Sequence, residues 1–221
     1  METHVVVIFP HPDDESFGAS GTIAKFREEG VPVTYLCGTL GEMGRNMGNP
    51  TFANRETLPE IRKKELIDAC NILDMDLHML GYRDKTLEFE STETLAERLK
   101  GILDDIKPSL VITHYPGYAV HPDHNALGTA AIEAVKQMDK QIRPTVWAQA
   151  FSRDHLEDLG EPDVAIDISD HFVKKMETIL AHKSQAGGML KGMDKTTDNL
   201  EKIAKERLGD ERFYTWKFDA N

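Results

Sequence analysis

Two short clusters of histidine and aspartate carry the most specific chemistry in this sequence. The first, residues 11–15 (His-Pro-Asp-Asp-Glu), directly follows the apolar run 5–9. The second, residues 121–124 (His-Pro-Asp-His), follows a similar run at 110–113. Short apolar runs bounded by turn residues are typical of buried strands, so each cluster is expected where a strand passes into a loop. Two histidines and a carboxylate can hold a divalent metal, and we interpret the clusters as two halves of one metal site.

Three of these side chains are predicted to bind the metal, namely His11, Asp14 and His124. A catalytic zinc site commonly has three protein ligands and keeps one position for water, whose pKa the metal lowers toward neutrality. Pro12 stiffens the turn after the strand, and the neighbouring carboxylates of Asp13 and Asp14 should point apart. One carboxylate can then bind the metal while Asp13 faces the water as a general base.

The other polar residues of the clusters are assigned supporting roles. His121 is predicted to stay off the metal and either to act as an acid or to stabilise an oxyanion. Asp123 is expected to orient one of the histidines, and Glu15 either does the same or caps the following helix. Taken singly, each cluster would more simply be a turn or a helix cap. Two such clusters at two strand ends favour a site.

Strand-like and helix-like segments alternate around the clusters. This alternation is typical of an α/β fold that has a mostly parallel sheet with helices on both faces. Such sheets bind ligands beyond the carboxyl ends of strands, where the strand order reverses. The glycine-rich loop 41–50 is too long for a plain connection and is predicted to be functional or mobile. We predict strands over 5–9, 31–39, 77–80, 109–114, 145–151, 164–168 and, at an edge, 213–218, and helices over 16–29, 55–73, 92–106, 125–138, 169–182 and 195–208.

The composition limits the class of protein and of partner. The 221 residues contain no linker or internal repeat, so we predict a single domain over 1–221. The formal net charge of −12 disfavours nucleic acid, whose binding requires clustered lysine and arginine. No stretch approaches about 18 consecutive apolar residues and no secretory signal is recognisable, so we expect a cytoplasmic protein without a membrane span. Cys37 and Cys70 are expected to be buried free thiols.

Further motifs, in order along the chain, carry a resemblance to a known family. Between and after the clusters at 11–15 and 121–124 lie residues 41–44 (Gly-Glu-Met-Gly), 62–66 (Arg-Lys-Lys-Glu-Leu) and 182–185 (His-Lys-Ser-Gln). Together the motifs resemble those of the LmbE/PIG-L family of metal-dependent N-deacetylases, which has Gly-Glu-x-Gly, Arg-x-x-Glu-Leu and His-x-Ser-Gln at these places. The resemblance covers nearly the whole chain and implies a Rossmann-like fold.

The resemblance implies a hydrolase that removes the acetyl group from an N-acetylglucosamine unit joined to another group. It implies the same three metal ligands, with Asp13 as the base and His121 as a charged group beside the oxyanion. In one branch of the family, a tyrosine lies two positions before the first histidine of the second cluster. That position is Ala119 here, and of the nearby tyrosines, Tyr118 and Tyr115, we take Tyr118 as the candidate for substrate contact.

Within the family, the chain looks most like the deacetylases of bacillithiol synthesis, which act on glucosaminyl malate. Malate carries two carboxylates, for which arginine is the natural bidentate partner. Arg45 of the glycine-rich loop is predicted to bind them, and Arg62 matches an arginine of the family that contacts substrate. The expected partner is a small amino-sugar conjugate and the expected cofactor is zinc, or Fe(II) in its place. Homo-oligomer formation is left open.

Other functions remain open on the residues alone. Two histidines and a carboxylate also form the iron site of non-haem oxygenases, although those enzymes usually have an all-β scaffold. A nucleotide-binding module is disfavoured because Gly18 and Gly21 do not complete the G-x-G-x-x-G pattern. A non-catalytic metal-binding protein would not need Asp13 and His121. Within the deacetylases, a different N-acetylglucosamine conjugate is the alternative substrate.

Overall fold

The apolar run 5–9 forms the central strand, β1 (Val5–Phe9), in which every side chain is fully buried. Side chains alternate between the faces of a strand, so the odd-numbered residues pack into one hydrophobic core and Val6 and Ile8 into another. A strand that is apolar throughout is typical of a sheet covered on both faces. Burial of each such side chain stabilises the fold by about 1.5–3 kcal/mol.

The computed structural model describes residues 2–186 and 209–218. The other strands are β2 (Val33–Cys37), β3 (Asp76–Met79), β4 (Leu110–His114), β5 (Thr145–Gln149), β6 (Val164–Asp167) and β7 (Asp210–Thr215). They form one sheet of seven strands in the order β3-β2-β1-β4-β5-β7-β6. The first five in this order run parallel, and β7 pairs antiparallel with both β5 and β6. The predicted α/β fold with a mostly parallel sheet is confirmed.

Helices cover both faces of the sheet. They are α1 (Asp14–Gly18), α2 (Ser20–Glu28), α3 (Leu58–Leu73), α4 (Thr92–Ile106), α5 (Pro122–Lys136), α6 (His155–Leu159), α7 (Phe172–Ala181) and α8 (Lys183–Ala186), with 3₁₀ turns at Leu87–Phe89 and Ser169–His171. Helices α4 and α5 pack on one face, and α2, α3 and α7 on the other. Cys37 and Cys70 are buried and free, as predicted. None of the described helices is long and apolar enough to cross a membrane.

The strand order reverses beside β1. The chain runs from β1 outward through β2 to β3 and then returns to β4 on the other side. Val5 accordingly pairs with Val33 of β2 and with Leu110 of β4. The loops that leave the carboxyl ends of β1 and β4 therefore adjoin, and these are the loops that carry the two histidine–aspartate clusters.

Some predicted elements differ from those observed. The predicted helix 16–29 is divided into α1 and α2 at Ala19, whose φ of −140° is not helical. The prediction of an edge strand over 213–218 is wrong, because β7 lies between two strands and the edges of the described sheet are β3 and β6. The predicted helix 195–208 lies outside the described residues.

Candidate metal centre and active site

The loops after β1 and β4 bring the predicted ligands together. His11 Nδ1 lies 3.1 Å from His124 Nε2. Asp14 Oδ2 lies 3.5 Å from His11 Nδ1, and Asp14 Oδ1 lies 3.3 Å from His124 Nε2. Three donors bound to a tetrahedral zinc ion at roughly 2.0–2.2 Å would be about 3.3–3.6 Å apart. These three side chains, the ligand triangle, therefore lie close to the spacing that such an ion requires, with Asp14 facing the two imidazoles through different oxygens.

The outer contacts of the two imidazoles indicate which ring nitrogen faces the ligand triangle. His11 Nε2 lies 3.2 Å from Asp84 Oδ1 and 3.3 Å from Asp123 Oδ2, so it donates to carboxylates. His124 Nδ1 lies 3.0 Å from a main-chain carbonyl oxygen of the preceding loop and donates to it. With these protons assigned, His11 Nδ1 and His124 Nε2 direct lone pairs toward the Asp14 carboxylate. Such acceptors repel one another unless a positive charge lies between them.

The carboxylates give the cluster a high affinity for positive charge. Burial lowers the pKa of His11, but hydrogen bonds to three carboxylates, first that of Asp123, outweigh burial and raise this pKa well above its usual value. Burial raises the pKa of Asp14, but His124 and His11 outweigh it and hold this pKa well below its usual value. A divalent ion that displaces the proton of His11 would have two imidazoles and one carboxylate as ligands, which suits zinc and iron.

Asp13 is not part of the ligand triangle but lines the same cavity. Its φ of 100° is unusual for a residue with a side chain. Its Oδ2 lies 3.1 Å from Arg62 Nη2, and its carboxylate lines the cavity described below. Burial raises the pKa of Asp13 to about 6, while Arg62 opposes this shift and Asp14 adds to it. A carboxylate with this pKa can accept a proton near neutral pH.

His121 is the N-cap of α5, where its Nδ1 accepts the main-chain N–H of Asp123 at 3.2 Å. That contact leaves Nε2 to carry the ring proton. The ring lies edge-on to His11, with 4.9 Å between centroids, and lines the cavity. Burial, His11 and His124 all lower the pKa of His121. These contacts leave the Nε2 side of the His121 ring available to a group bound in the cavity.

Asp123 and Asp84 both contact His11 Nε2, the ring nitrogen that does not face the ligand triangle. Asp123 is fully buried and accepts the main-chain N–H groups of Lys85 and Leu87 at 2.7 and 3.2 Å. From this position Asp123 can orient His11. It contacts Nε2 of the ring and does not line the cavity. The sequence analysis missed Asp84, which supplies the second carboxylate and lines the cavity. Its signal is its place shortly after β3, the same strand-end position that identified the two clusters.

A cavity of about 380 Å³ opens beside the ligand triangle. The ligand triangle, Asp13, Asp84 and His121 form one side of this cavity. The glycine-rich loop forms another side through Met43, Gly44 and Arg45, a position that agrees with the prediction of a functional or mobile loop. Two exposed cations, Arg45 and Lys85, lie at the cavity. Gln185 also lines the cavity.

Arg62 is buried beneath this cavity and joins two loops. Its Nη1 donates to the carbonyl oxygen of Gly41 at 2.8 Å, and its Nη2 donates to the carbonyl oxygen of Pro12 as well as to Asp13. Gly41 has a φ of +60°, and a Cβ there would lie 1.9 Å from Arg62 Nη1. Only glycine fits this close approach. Arg62 lines the cavity, but most of its donors are already used within the protein.

Tyr118 does not border the cavity in the described part of the chain. Its ring packs edge-on to Tyr115, with 5.5 Å between centroids. The neighbouring Ala119 is buried, and its carbonyl oxygen is the one that His124 contacts. This loop therefore gives the site a main-chain acceptor that fixes His124, and the structure offers no support for Tyr118 as a substrate contact.

His114, the last residue of β4, also lies against the cluster. Its ring stacks on that of His124, with 4.1 Å between centroids, and one of its nitrogens lies within 4.8 Å of donor atoms of His124 and Asp14. Burial lowers its pKa well below the usual value, so the ring is neutral. The sequence analysis missed His114 because it assigned the residue to a buried strand.

Fold and site together define a class: an α/β protein whose central strand ends carry a histidine–aspartate cluster able to hold a metal ion. A family model described as "PIG-L: GlcNAc-PI de-N-acetylase" matches residues 6–135, more than half of the chain. The chain therefore belongs to the PIG-L family, and the resemblance noted in its motifs is confirmed.

Individual relatives agree with this membership. The chain is 50% identical over 220 residues to the "Probable N-acetyl-alpha-D-glucosaminyl L-malate deacetylase 2" of Bacillus subtilis (strain 168), with 99% of this chain and 100% of the relative covered. The solved N,N'-diacetylchitobiose deacetylase from Pyrococcus horikoshii has a TM-score of 0.71 and 25% identity, with 97% of this chain and 84% of that chain covered. A 4-carboxy-2-hydroxymuconate hydratase from Pseudomonas putida KT2440 has a TM-score of 0.70 at 18% identity, with 99% and 98% covered. Because this fold also supports a hydratase, the fold alone does not determine the reaction.

Proposed function

We propose that this protein is a metal-dependent N-deacetylase that hydrolyses the acetamide of N-acetylglucosaminyl malate. Membership of the PIG-L family and the half-identical Bacillus relative support this activity. The observation that carries the proposal is the ligand triangle of His11, Asp14 and His124 with the carboxylate of Asp13 beside it. Amide hydrolysis needs an activated water, a base and a stabilised oxyanion, and the cluster offers a group for each.

Zinc is the metal that we propose, with Fe(II) as the alternative. His11, Asp14 and His124 would hold the ion, since two imidazoles and a carboxylate suit both metals. When bound, such an ion lowers the pKa of water and polarises a carbonyl oxygen. The carboxylates around His11 would keep its ring oriented and make it a stronger ligand.

Asp13 is the proposed general base. Its Oδ2 is held by Arg62, which leaves the other oxygen to face the attacking water. Asp13 would remove a proton from this water and then deliver it to the amide nitrogen, so that acetate and a free amine leave. Burial prepares the carboxylate for this task because it raises the pKa of Asp13 to about 6.

His121 is the proposed oxyanion donor. Its Nδ1 is occupied by the main-chain N–H of Asp123, so the proton on Nε2 is available to the oxygen that becomes negative. The N-cap position fixes the ring before the substrate arrives. A donor that is already oriented costs no reorganisation when the charge develops.

Arg45 and Lys85 are the proposed partners of the two malate carboxylates. Both are exposed at the cavity, in a protein whose formal net charge is −12. Arg62 is a weaker candidate because Asp13 and two main-chain carbonyls use its donors. An anionic substrate would therefore be attracted locally by these two cations.

The test is acetate release by purified, zinc-loaded protein from N-acetylglucosaminyl malate and from plain N-acetylglucosamine. We expect a strong preference for the malate conjugate. Arg45→Gln should raise the KM for the conjugate by about tenfold, because a charge-assisted hydrogen bond contributes about 1.5 kcal/mol or more. Arg98→Gln is the matched control, since Arg98 stacks on Tyr82 away from the cavity.

Two outcomes would contradict this proposal. Equal hydrolysis of both compounds would contradict the malate conjugate as the preferred substrate, but not the deacetylase activity. If protein with one zinc ion per chain released acetate from neither compound, the proposed deacetylase activity itself would be contradicted. The location in the cytoplasm stays a prediction, which cell fractionation would test. The oligomeric state, which the sequence leaves open, is measured by sedimentation.

A further inference from the structure

Glu15 and His182 form a fully buried pair behind the active site. His182 Nε2 lies 2.7 Å from Glu15 Oε1, and neither side chain has any solvent exposure. Neither borders the cavity, so neither can touch a substrate there. A buried pair of ionisable groups is costly to desolvate, and hydrophobic residues of similar size often stabilise a fold as well. Stability alone therefore does not account for it.

The other oxygen of Glu15 reaches the proposed base. Glu15 Oε2 accepts the main-chain N–H of Asp13 at 3.0 Å, and Oε1 also accepts the hydroxyl of Ser16 at 2.6 Å. Asp13 has a φ of 100°, a conformation that a residue with a Cβ keeps only when its surroundings hold it. The Asp13 carbonyl oxygen accepts the main-chain N–H groups of Ser16 and Phe17 at 3.0 Å, but the Asp13 side chain makes no hydrogen bond that caps α1 and is left for the cavity. The hydrogen bond that the Asp13 N–H donates to Glu15 is placed to maintain this conformation.

The segment that carries His182 is anchored close to the second partner of Asp13. Ser184 donates its N–H and its hydroxyl to the two carboxylate oxygens of Glu65, at 2.7 and 2.6 Å. Glu65 lies three positions after Arg62 on α3, and Arg62 holds the Asp13 side chain. The main chain of Asp13 is therefore linked through Glu15 to His182, and Ser184 of the same short segment binds the helix that carries Arg62.

We propose that His182 and Glu15 are positioning residues for the general base. They hold the main chain of Asp13 at positive φ, which directs its carboxylate to Arg62 and the cavity and leaves Asp14 alone at the ligand triangle. This inference rests on the proposed function, because it takes Asp13 to be the base. It gives a role to the His-x-Ser-Gln motif, to which the sequence analysis assigned none.

A second buried pair in the chain serves as a control. Lys175 Nζ lies 2.6 Å from Glu211 Oε1, and both side chains are almost fully buried. Glu211 also accepts the main-chain N–H groups of Gly21 and Thr22. Lys175 Nζ also donates to the carbonyl oxygen of Phe17 at 2.8 Å, so these contacts join α7 and β7 to α1 and α2 without including Asp13. Disruption of the Lys175–Glu211 pair should lower the stability of the fold without moving Asp13.

The experiment compares His182→Leu, which removes the donor, with His182→Gln, whose amide can still donate to Glu15. For His182→Leu we expect kcat to fall by about 10- to 100-fold, with KM and zinc content close to those of the wild type. His182→Gln should recover most of the loss. Glu211→Gln should lower the thermal stability but not kcat per folded molecule. A crystal structure of His182→Leu should show Asp13 separated from Arg62.

Glu15→Gln provides a second test if His182→Leu does not fold. The amide matches the carboxylate in shape but has only one acceptor oxygen for three donors, so it should also lower kcat. The proposal is overturned if the His182 and Glu15 variants keep wild-type kcat, or if Asp13 stays in place in their structures. A wild type that releases no acetate would refute the proposed function instead, while the position of Asp13 would still test the positioning role.

Discussion

Asp13 and Asp14 are neighbours in the chain, yet their carboxylates have opposite surroundings. Asp14 lies between His11 and His124, which hold its pKa well below the usual value. Asp13 is half-buried beside Arg62, and desolvation raises its pKa to about 6. Two adjacent carboxylates can thus serve as a permanent anion for a metal and as a titratable base.

The first prediction concerns Asp13→Asn, which keeps the size of the side chain but removes its basicity. We expect kcat to fall by about 10²- to 10⁴-fold, the usual contribution of a general base. Zinc should remain bound because the three ligands are unchanged. Measurement of kcat together with zinc content checks both statements. A variant with bound zinc and near-normal kcat would show that another group is the base.

The second prediction concerns the pH dependence of the wild type. A base with a pKa raised to about 6 is ionised above that pH and protonated below it, so kcat should fall as pH drops through about 6. A bound divalent ion attracts the anion and shifts this fall to lower pH. The measurement is kcat between about pH 4.5 and 8, with zinc content determined at each point. A flat profile with zinc retained would argue against Asp13.

The sequence predicts that His11, Asp14 and His124 lie together, because residue type and the strand ends that carry them both indicate it. The place of Asp84 shortly after β3 is a signal of the same kind, but its contact with His11 depends on how the loop after β3 packs. The stacking of His114 on His124 could not be predicted, because it depends on which ring packs against the cluster. The lowered pKa of His121 could not be predicted either, since it follows from burial and from the nearby histidines.

At the scale of elements, the glycine-rich loop is positioned by Arg62. The third prediction is that Gly41→Ala displaces Arg62, because the new Cβ would lie 1.9 Å from its Nη1, and lowers kcat by about 10- to 100-fold. Gly30→Ala is the matched control. Gly30 also has positive φ, but a Cβ there meets nothing within 4 Å. Both variants should lose about 1 kcal/mol of stability, and only the first should lose activity. Equal kcat values would contradict the role of Arg62.

The fourth prediction concerns the buried pair of Lys175 on α7 and Glu211 on β7. Glu211→Gln leaves Lys175 as an uncompensated buried charge and should lower the free energy of unfolding by about 3–5 kcal/mol. Arg212→Gln is the comparison, because the exposed pair of Arg212 and Asp210 should contribute less than about 1 kcal/mol. Urea unfolding measures both. Similar losses for the two variants would mean that burial of the Lys175 pair does not matter.

The order of elements was predictable from the sequence, and one pairing was not. Strand-like runs alternating with helical periodicity correctly indicate a parallel sheet with helices on both faces. The position of β7 depends on which distant strands it joins, and alternation within 213–218 carries no such information. The break at Ala19 was missed for a similar reason, since the apolar residues on both sides of it fit one continuous helix.

At the scale of the whole molecule, a metal bound only by the folded chain should stabilise it. The fifth prediction is that added zinc raises Tm and a chelator lowers it, since zinc at about 100 times its Kd contributes about 2.7 kcal/mol. His124→Ala should lose this dependence because it lacks one ligand. Differential scanning calorimetry with and without zinc checks this. A wild-type Tm that zinc does not change, or an unaltered response in His124→Ala, would contradict the assigned ligands.

The place of β7 in the sheet has a consequence for biosynthesis. This strand, at residues 210–215, is the only hydrogen-bonded link between β6 and the rest of the described sheet. A nascent chain cannot join β6 to β5 until that late segment has left the ribosome, so β5 meanwhile presents an open edge to other chains. Premature termination before Asp210 should therefore yield aggregating product, however complete the histidine–aspartate cluster already is.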